Sequence, residues 1–428
     1  MLKTIRNAWK VDDIRKKIIF TLFVILLYRV GNAVPVPYVN VDLLGQYFDS
    51  LSNTVLGLYN VMSGSAFSTA TIFALSIQPY INASIIIQLL TIAIPALERL
   101  QKEGGEEGKK KLGSITRYST VGIALIQGFA YYVLIKNNGI LMESGVGTWP
   151  AIVIVLTFTA GSALIMWLGE QITEFGIGNG ISIILFVSIV SRFPASVFNM
   201  ITSTIKAPGN WWIYVLMLLG ALAIIVLIVI VTHAERRIPV QYSKRVVGRK
   251  MYGGQSTHLP LKVNMSGVLP IIFAQSIASL PATIAAFVPE WQNGWFTKLF
   301  DTSSYIYALI YFLLIIFFSY FYSTVQFNPI EVANNLKKNG GYIPGFRPGK
   351  PTSEFISKVL SKITLFGAIY LGIIAIVPIL ISKFSSVAAN SGISLGGTSI
   401  IIVVGVALET VKALESQMLM RHYKGFLE

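Results

Sequence analysis

Amide and hydroxyl side chains interrupt an uncharged stretch of 21 residues, ATIFALSIQPYINASIIIQLL from Ala70 to Leu90. About 20 apolar residues suffice to cross a bilayer, yet Gln78, Asn82 and Gln88 carry groups that lipid cannot hydrogen-bond. A helix with these side chains faces either an aqueous cavity or a neighbouring span that satisfies their hydrogen bonds, and the segment by itself favours neither. The spacing of three and four residues along a helix predicts one stripe that contains Ile77, Ile81, Ser84 and Gln88.

Residues for catalysis or metal binding are few. The sequence has no Cys, which excludes disulfides and thiolate sites, and His233, His258 and His422 show no metal-ligand spacing. No ionisable residue falls near the middle of an apolar stretch, where coupled transporters usually bind the driving ion. We therefore predict no catalytic residue, no metal and no cofactor. A secondary transporter with a mid-membrane substrate site is the alternative function, followed by a membrane enzyme of lipid metabolism.

Ten apolar stretches are long enough to span a membrane. Only 12% of the 428 residues are charged, against about 25% in a soluble domain, so the sequence predicts an integral membrane protein. The stretches cover approximately residues 18–34, 70–95, 117–135, 149–168, 178–194, 211–232, 266–287, 303–326, 363–382 and 393–411.

The basic residues indicate the orientation of these spans. Most of the 34 Lys and Arg residues lie in the N-terminal segment, after the second, sixth and eighth stretches, and in the C-terminal tail. Because Lys and Arg are enriched in cytoplasmic loops, both termini are predicted to be cytoplasmic. Residues 1–17 place Leu2, Ile5 and Trp9 at helical spacing among basic residues, which favours an amphipathic segment on the membrane surface over an unstructured leader.

Two long basic loops, residues 233–265 and 327–362, suggest a docking surface. The second contains IPGFRPGKP, whose Pro and Gly residues are expected to fix the backbone near Arg347. Such loops usually set topology and attract anionic lipid. Their length also favours a soluble or ribonucleoprotein partner, and the loops alone do not separate these interpretations.

Two further segments are irregular. NTVLGLYNVMSGSAFSTA, from Asn53 to Ala70, is too polar and too short to cross, so it is either a small re-entrant segment or an external loop. FGIGNGISIILF, from Phe175 to Phe186, contains three glycines, which weaken the helix locally and permit close approach of another helix.

Four long motifs, in this order, resemble the SecY family, whose members are the central subunits of the bacterial Sec protein translocase. They are FALSIQPYINASIIIQLL, EFGIGNGISI, RRIPVQYSKRVVGRKMYGGQSTHLPLKVN and NPIEVANNLKKNGGYIPGFRPG. The resemblance covers essentially the whole chain. It implies an all-α polytopic membrane protein with ten transmembrane helices in two pseudosymmetric five-helix halves, residues 18–200 and 201–428, around a central hourglass pore. The sequence shows no internal repeat, so this symmetry comes from the resemblance.

The function that the resemblance implies is a protein-conducting channel. It would pass unfolded secretory polypeptides across the membrane and release membrane segments sideways into lipid, between the second and seventh spans. A ring of aliphatic side chains would exclude water from the constriction, and polar residues would line the lateral gate. The ring positions are Ile77, Ile81, Ile181, Leu185, Ile272 and Ile402. The gate positions are Asn82, Gln88 and Asn179.

The resemblance also implies a plug, a docking surface and partners. The plug, about residues 53–68, would seal the external funnel with Gly64 and Ser65 near the pore axis. The docking positions for the SecA motor and the ribosome are Arg236, Arg237, Arg245 and Arg347. Further partners are SecE and usually SecG, signal sequences, nascent polypeptides and anionic lipids, in the bacterial plasma membrane.

Overall fold

The structure is a computed structural model of the chain. It describes residues 2–50, 55–206, 211–242, 245–247, 250–252, 256–265, 267–287, 304–384 and 397–424.

Helices make up most of the described chain, as the sequence predicted. Those before residue 207 are α1 (Leu2–Trp9), α2 (Asp12–Gly31), α3 (Val41–Ser50), α4 (Val55–Met62), α5 (Gln78–Ala93), α6 (Pro95–Lys102), α7 (Gly105–Asn137), α8 (Thr148–Phe175) and α9 (Gly180–Lys206). Those after it are α10 (Trp211–His233), α11 (Leu269–Phe287), α12 (Tyr305–Gln326), α13 (Pro329–Lys338), α14 (Lys350–Phe384) and α15 (Gly397–Lys424). The strands are β1 (Glu235–Tyr242), β2 (Arg245–Val247), β3 (Lys250–Tyr252), β4 (Ser256–Lys262) and β5 (Gly341–Tyr342).

Each of the ten predicted apolar stretches contains a helix. Among the described residues, five helices are individually long and apolar enough to cross a membrane: Gly105–Asn137, Thr148–Phe175, Val215–His233, Tyr305–Lys338 and Lys350–Leu380. Helices α5 and α6 meet the same criteria together, but the chain bends by 100° between them. Ile94 at the bend is extended, because the ring of the following Pro95 disfavours the helical conformation there.

The second predicted span begins later than its hydropathy suggests. Residues 72–77 form turns, and α5 begins only at Gln78, with Pro79 in the first turn, where a proline is compatible with a helix. Ile77 is therefore the N-cap residue of α5, and its carbonyl oxygen accepts from the Ile81 backbone N–H at 3.1 Å, so the predicted stripe begins at the cap of the helix and not within it. Ser84 and Gln88 share a helical stripe, since the Gln88 amide donates to the Ser84 hydroxyl at 3.1 Å.

Helix α8 is approached at backbone distance by the turn before α5 and by the start of α9. A Cβ atom added to Gly161 of α8 would lie 1.9 Å from the carbonyl oxygen of Ile72, and one added to Gly180 would lie 1.9 Å from that of Gly169. Both distances are far below van der Waals contact, so only glycine fits. The close helix approach predicted for the glycine-rich segment before α9 is thus confirmed.

The largest apolar cluster lies among the long helices. It contains buried side chains from before and from after residue 207. Its members include Val24, Ile81, Ile165, Leu185, Ile228, Ile272, Phe318, Leu371 and Ile402. These residues come from α2, α5, α8, α9, α10, α11, α12, α14 and α15. This cluster is therefore a contact region between helices that are distant in sequence.

The two basic loops are more regular than the sequence suggested, and they are joined. Strand β1 pairs antiparallel with β4, and its other edge pairs with β5 through Gln241–Tyr342 and Tyr242–Gly341. Ile238 and Val240 alternate with exposed residues along β1, and they pack with Ile343 and Ile356 from the second loop. We call β1, β4 and β5 the loop sheet. It makes one structural unit of both loops.

The first and last described helices also meet. The Thr4 hydroxyl of α1 donates to Glu415 of α15 at 3.1 Å, and Ala8 and Ile14 pack with Leu414. Residues 2–9 are helical, so the alternative of an unstructured leader is wrong for this segment. Helix α1 and the part of α15 around Glu415 therefore lie on the same side of the helix assembly.

Candidate functional site

The six aliphatic residues predicted to form a ring meet in the large apolar cluster. Ile77 is fully buried, Leu185 and Ile402 are 1% exposed, and Ile81 and Ile272 are 4% exposed. Ile181 is half-buried and packs against the same cluster. They come from α5 with its preceding turn, α9, α11 and α15. Four helices thus contribute these side chains to one apolar cluster, whose aliphatic groups offer water and ions no hydrogen-bonding partner.

The predicted plug segment folds back against the helix that carries two ring residues. Gly64 lies so close to α9 that a Cβ atom there would be 3.0 Å from the Ser188 carbonyl oxygen and 3.0 Å from the Ser191 hydroxyl. Ser188 follows the ring residue Leu185 by three residues, or about 4.5 Å along the helix. The neighbouring Ser65 is half-buried. Asn53 and Thr54, at the start of the predicted plug, lie outside the described residues.

The C-terminal end of this segment is anchored. The Phe67 ring stacks on Tyr131 of α7 with centroids 4.3 Å apart, and the Tyr131 hydroxyl donates to the Phe67 carbonyl oxygen. The backbone between this anchor and α5 is strained, since Ala70 and Ser76 have φ values of 42° and 52°, which side chains other than glycine rarely adopt. Strained backbone of this kind tends to occur at segments that change conformation.

A sulfur atom connects the plug segment to two helices. The Sδ atom of Met62 accepts a hydrogen bond from the Gln78 amide of α5 at 3.0 Å and from the Gln275 amide of α11 at 3.5 Å. All three residues are 4% exposed. Gln275 lies one turn from the ring residue Ile272. We call these three residues the methionine contact; it joins the plug, α5 and α11 next to the ring.

Several polar atoms around the methionine contact have no protein partner among the described residues. They are the side-chain oxygens of Gln78 and Gln275 and the hydroxyls of Ser76 and Ser276. A buried polar group without a partner costs about 1–3 kcal/mol. The contacts around these three residues are therefore less stable than an apolar interface of the same size.

Sequence reasoning missed most of the methionine contact. Gln78 stood out as an amide in an apolar stretch, but Met62 has the composition of an ordinary core residue, and Gln275 is far away in sequence. Only the fold brings the three together.

No metal site is found in the part of the chain that the structure describes. Among these residues, no group of three His, Asp or Glu side chains could hold an ion.

The three predicted gate residues contact different elements. The Gln88 side-chain oxygen accepts from the Tyr322 hydroxyl of α12, whereas Asn82 is buried within α5. Asn179 is exposed and caps α9, because its side-chain oxygen accepts from the backbone N–H groups of Ile181 at 3.1 Å and Ser182 at 3.3 Å. The role of a helix cap explains why an asparagine stands at position 179. Gln88, by contrast, connects α5 to α12.

Three of the four predicted docking arginines lie on the loop sheet or its tip, and the fourth lies on strand β2 of a separate two-stranded sheet. Arg236 and Arg237 are exposed on β1, and Arg237 forms an ion pair with Glu235 at 2.7 Å. Arg347 is exposed on the tip that follows β5, and its carbonyl oxygen accepts from Thr352 at 2.8 Å. Arg245 belongs to β2, but its side chain lies outside the described residues.

The tip itself is firmly held. Phe346 stacks on Phe355 of α14 with centroids 4.1 Å apart, and Ile343 is 2% exposed. Gly345 and Gly349 on either side of Arg347 have φ values of 87° and 105°, which glycine adopts at no steric cost. The Arg347 charge is therefore displayed from an ordered turn.

Comparison with known proteins places these features in context. The family model for SecY matches residues 71–411, a range that includes all six ring positions. The protein translocase subunit SecY of Streptomyces coelicolor is 45% identical over 441 residues, with 100% of both chains covered. That of Mycobacterium bovis is 43% identical over 447 residues, again with 100% of both chains covered.

Solved structures share the fold. One described as the structure of a protein-conducting channel matches with a TM-score of 0.66 at 16% identity, over 94% of this chain and 92% of that chain. Sec61 in the canine ribosome–channel complex from the endoplasmic reticulum matches with a TM-score of 0.63 at 14% identity, again over 94% and 92%.

Proposed function

This chain belongs to the SecY family, and on that premise we propose that it is a protein-conducting channel whose constriction is the aliphatic ring. The channel passes unfolded secretory polypeptides across the membrane and releases membrane segments sideways into lipid. The observation that carries the proposal is the convergence of Ile77, Ile81, Ile181, Leu185, Ile272 and Ile402 in one apolar cluster. A secondary transporter is not favoured, because the relatives are named translocase subunits.

The ring closes the channel to small solutes by excluding water. Its side chains offer ions no partner in place of their hydration shells, so the constriction conducts poorly at rest. Aliphatic side chains also bind no particular sequence, and they can part around a polypeptide and close behind it. The chain supplies the path, and the SecA motor or the translating ribosome supplies the energy.

The plug seals the same constriction from outside. The position of Gly64 against α9 supports this role, and the methionine contact holds the plug to α5 and α11 together. Phe67 serves as the fixed end, about which residues before it swing out of the path. The unpartnered polar atoms and the strained backbone keep the closed state only marginally favoured.

The lateral gate opens between α5, in the half formed by residues 18–200, and α11, in the half formed by residues 201–428. A signal sequence that enters between them replaces the methionine contact with its own apolar surface. Hydrogen bonds within a membrane average about 0.6 kcal/mol, so a few of them, including Gln88–Tyr322, hold the gate without locking it. Asn82 lies on the gate helix itself, and Asn179 fixes the start of α9.

The loop sheet is the docking surface for SecA and the ribosome. Arg236, Arg237 and Arg347 provide its positive charge, and Arg245 on strand β2 adds to the basic surface. Such charge suits acidic protein surfaces and RNA phosphates. The similarity of the fold to a channel in a ribosome complex supports this assignment. SecE and usually SecG complete the assembly in the bacterial plasma membrane. Contact between α1 and α15 supports placing both termini in the cytoplasm together.

Ion conductance tests the constriction. Ile402→Asn gives water a partner at the ring, so we expect the resting conductance of the purified channel in planar bilayers to rise severalfold. The matched control is Ile154→Asn, since Ile154 is equally buried in a different cluster on α8. Both changes bury an amide and should lower stability by about 1–3 kcal/mol, but only the first should increase conductance. A destabilised yet tight Ile402→Asn channel would mean that the pore lies elsewhere.

A further inference from the structure

Arg192 lies on the face of α9 that carries the ring residues, beyond the ring on the side of the plug. Four residues at intervals of four, three and four share this face: Ile181, Leu185, Ser188 and Arg192. Ser188 is the residue whose carbonyl oxygen lies against Gly64 of the plug. Arg192 follows Leu185 by seven residues, or about 10.5 Å along the helix axis. This face is therefore aliphatic at the ring and carries a charge beyond it.

The exposed face of α9 lies on the other side of the helix. Val190 is 38% exposed and Phe193 54%, and Pro194 is also exposed. With about 3.6 residues per turn, the centre of this exposed face lies about 150° around the axis from Arg192. Arg192 itself is half-buried. It therefore faces the helix assembly, on the side where the plug lies.

The positive charge of Arg192 has no counter-charge in the described part of the chain. No carboxylate and no hydrogen-bond acceptor among the described residues pairs with its guanidinium. Arginine stays protonated in proteins and is more weakly hydrated than lysine, which suits a place between apolar helices. Apolar walls also strengthen the interaction of a fixed charge with a passing one. The side chain is thus placed to act on charged groups that leave the ring.

We propose that Arg192 is a specificity-determining residue of the channel, which discriminates among translocating segments by the sign of their charge. The inference rests on the proposed channel function. Once the plug has moved away from Ser188, a polypeptide that leaves the ring passes along this face of α9. Segments rich in Lys and Arg are repelled by the guanidinium there and move more slowly. Segments rich in Asp and Glu are attracted to it and enter the space beyond the ring more readily.

Ion selectivity measures the charge at this place, and the Ile402→Asn channel, which we expect to conduct, supplies the current. In a KCl gradient across a planar bilayer, this channel complex should prefer chloride over potassium on the order of tenfold, because one charge about 5 Å from a passing ion changes its local concentration roughly fourfold for each sign. Adding Arg192→Gln should reduce the preference to about one, whereas Arg192→Lys should keep most of it. The matched control, Lys136→Gln, removes the charge of an exposed lysine at the far end of α7, and it should leave the preference unchanged.

Transport of charged substrates tests the same residue with the ring intact. Two secretory substrates that differ only in a run of lysines or of glutamates are compared in SecA-driven transport into membrane vesicles. Arg192→Gln should raise the rate for the lysine substrate, relative to the glutamate substrate, about threefold at low salt. The difference should shrink at high salt, because the screening length falls from about 30 Å at 0.01 M to about 3 Å at 1 M. Lys136→Gln should leave the ratio of the two rates unchanged.

The inference and the channel function fail in different ways. An unchanged ion preference or an unchanged substrate ratio in Arg192→Gln would overturn the inference and leave the channel function intact. An equal loss of preference in Lys136→Gln would also overturn it, because selectivity would then follow net charge alone. A tight Ile402→Asn channel would contradict the proposed constriction itself, and the inference would fall with it. Unchanged melting temperatures, together with the charge-preserving Arg192→Lys, verify that the charge and not the folding of the channel is measured.

Discussion

Single residues next to the proposed ring contact the proposed plug through weak hydrogen bonds. The methionine sulfur is a poor hydrogen-bond acceptor, yet it receives two amide N–H groups from helices on opposite sides of the proposed gate. A stronger acceptor would stabilise the closed state more, and a purely apolar contact would leave both amides without a partner. Met62 thus gives the contact between the proposed plug and the two helices an intermediate strength. Such a contact suits a seal that must open for each substrate.

Replacement of Met62 by leucine tests whether the sulfur atom holds the proposed plug. Met62→Leu keeps the volume but removes the acceptor, so we expect a higher resting conductance and readier passage of substrates with weak signal sequences. Met166→Leu in α8 is the matched control, since Met166 is also buried and the exchange itself should cost less than about 1.5 kcal/mol. Conductance equal to that of the control would show that the sulfur does not hold the plug.

At the residue scale, functional residues could be predicted from the sequence where the residue type is unusual for the segment that contains it. Arg347 could be singled out because glycine and proline surround it, and Gln88 because an amide is costly in a membrane. The ring positions came from resemblance to a family, since isoleucine in an apolar helix gives no signal of its own. Met62 and Gln275 could not be paired, because no periodicity connects residues in different helices.

At the scale of elements, the loop sheet joins two loops that were predicted from the sequence as separate segments. The alternation of Ile238 and Val240 in β1 becomes meaningful only once Ile343 and Ile356 cover them, and such long-range pairing leaves little trace in either loop. Helices were easier to predict, because hydropathy acts locally; the start of α5 was misplaced because turns 72–77 are as apolar as the helix that follows.

The loop sheet gives a prediction for docking. Arg347→Glu reverses an exposed charge on the tip, so SecA-driven secretion into membrane vesicles should fall strongly, whereas stability should change by less than about 0.5 kcal/mol. Lys136→Glu is the control, since Lys136 is an exposed lysine at the far end of α7, on the predicted external side. Unimpaired secretion by Arg347→Glu at normal expression would leave the arginine with a role in topology only.

At the scale of the whole molecule, the proposed mechanism requires two halves to separate. Gln78 and Gln275 lie on opposite sides of the proposed gate and contact one sulfur, and the chain contains no Cys of its own. A short bismaleimide should therefore link Gln78→Cys to Gln275→Cys without background. We expect protein transport to fall to background after linkage, whereas either single variant treated with the reagent should remain active. Transport through the linked channel would exclude separation of α5 from α11.

The backbone contacts at Gly161 and Gly180 limit how this sequence can diverge. A single added methyl group at either position would meet a carbonyl oxygen at 1.9 Å, so even alanine, the mildest exchange, is excluded unless the two backbone segments move apart. Among the described residues, a Cβ atom added to Gly113, Gly122 or Gly220 would meet nothing within 4 Å, so substitution there meets no steric barrier from this part of the chain. The tolerance of glycine to substitution therefore differs from site to site in this chain. Substitution is least tolerated where the backbone of another segment packs directly against the glycine.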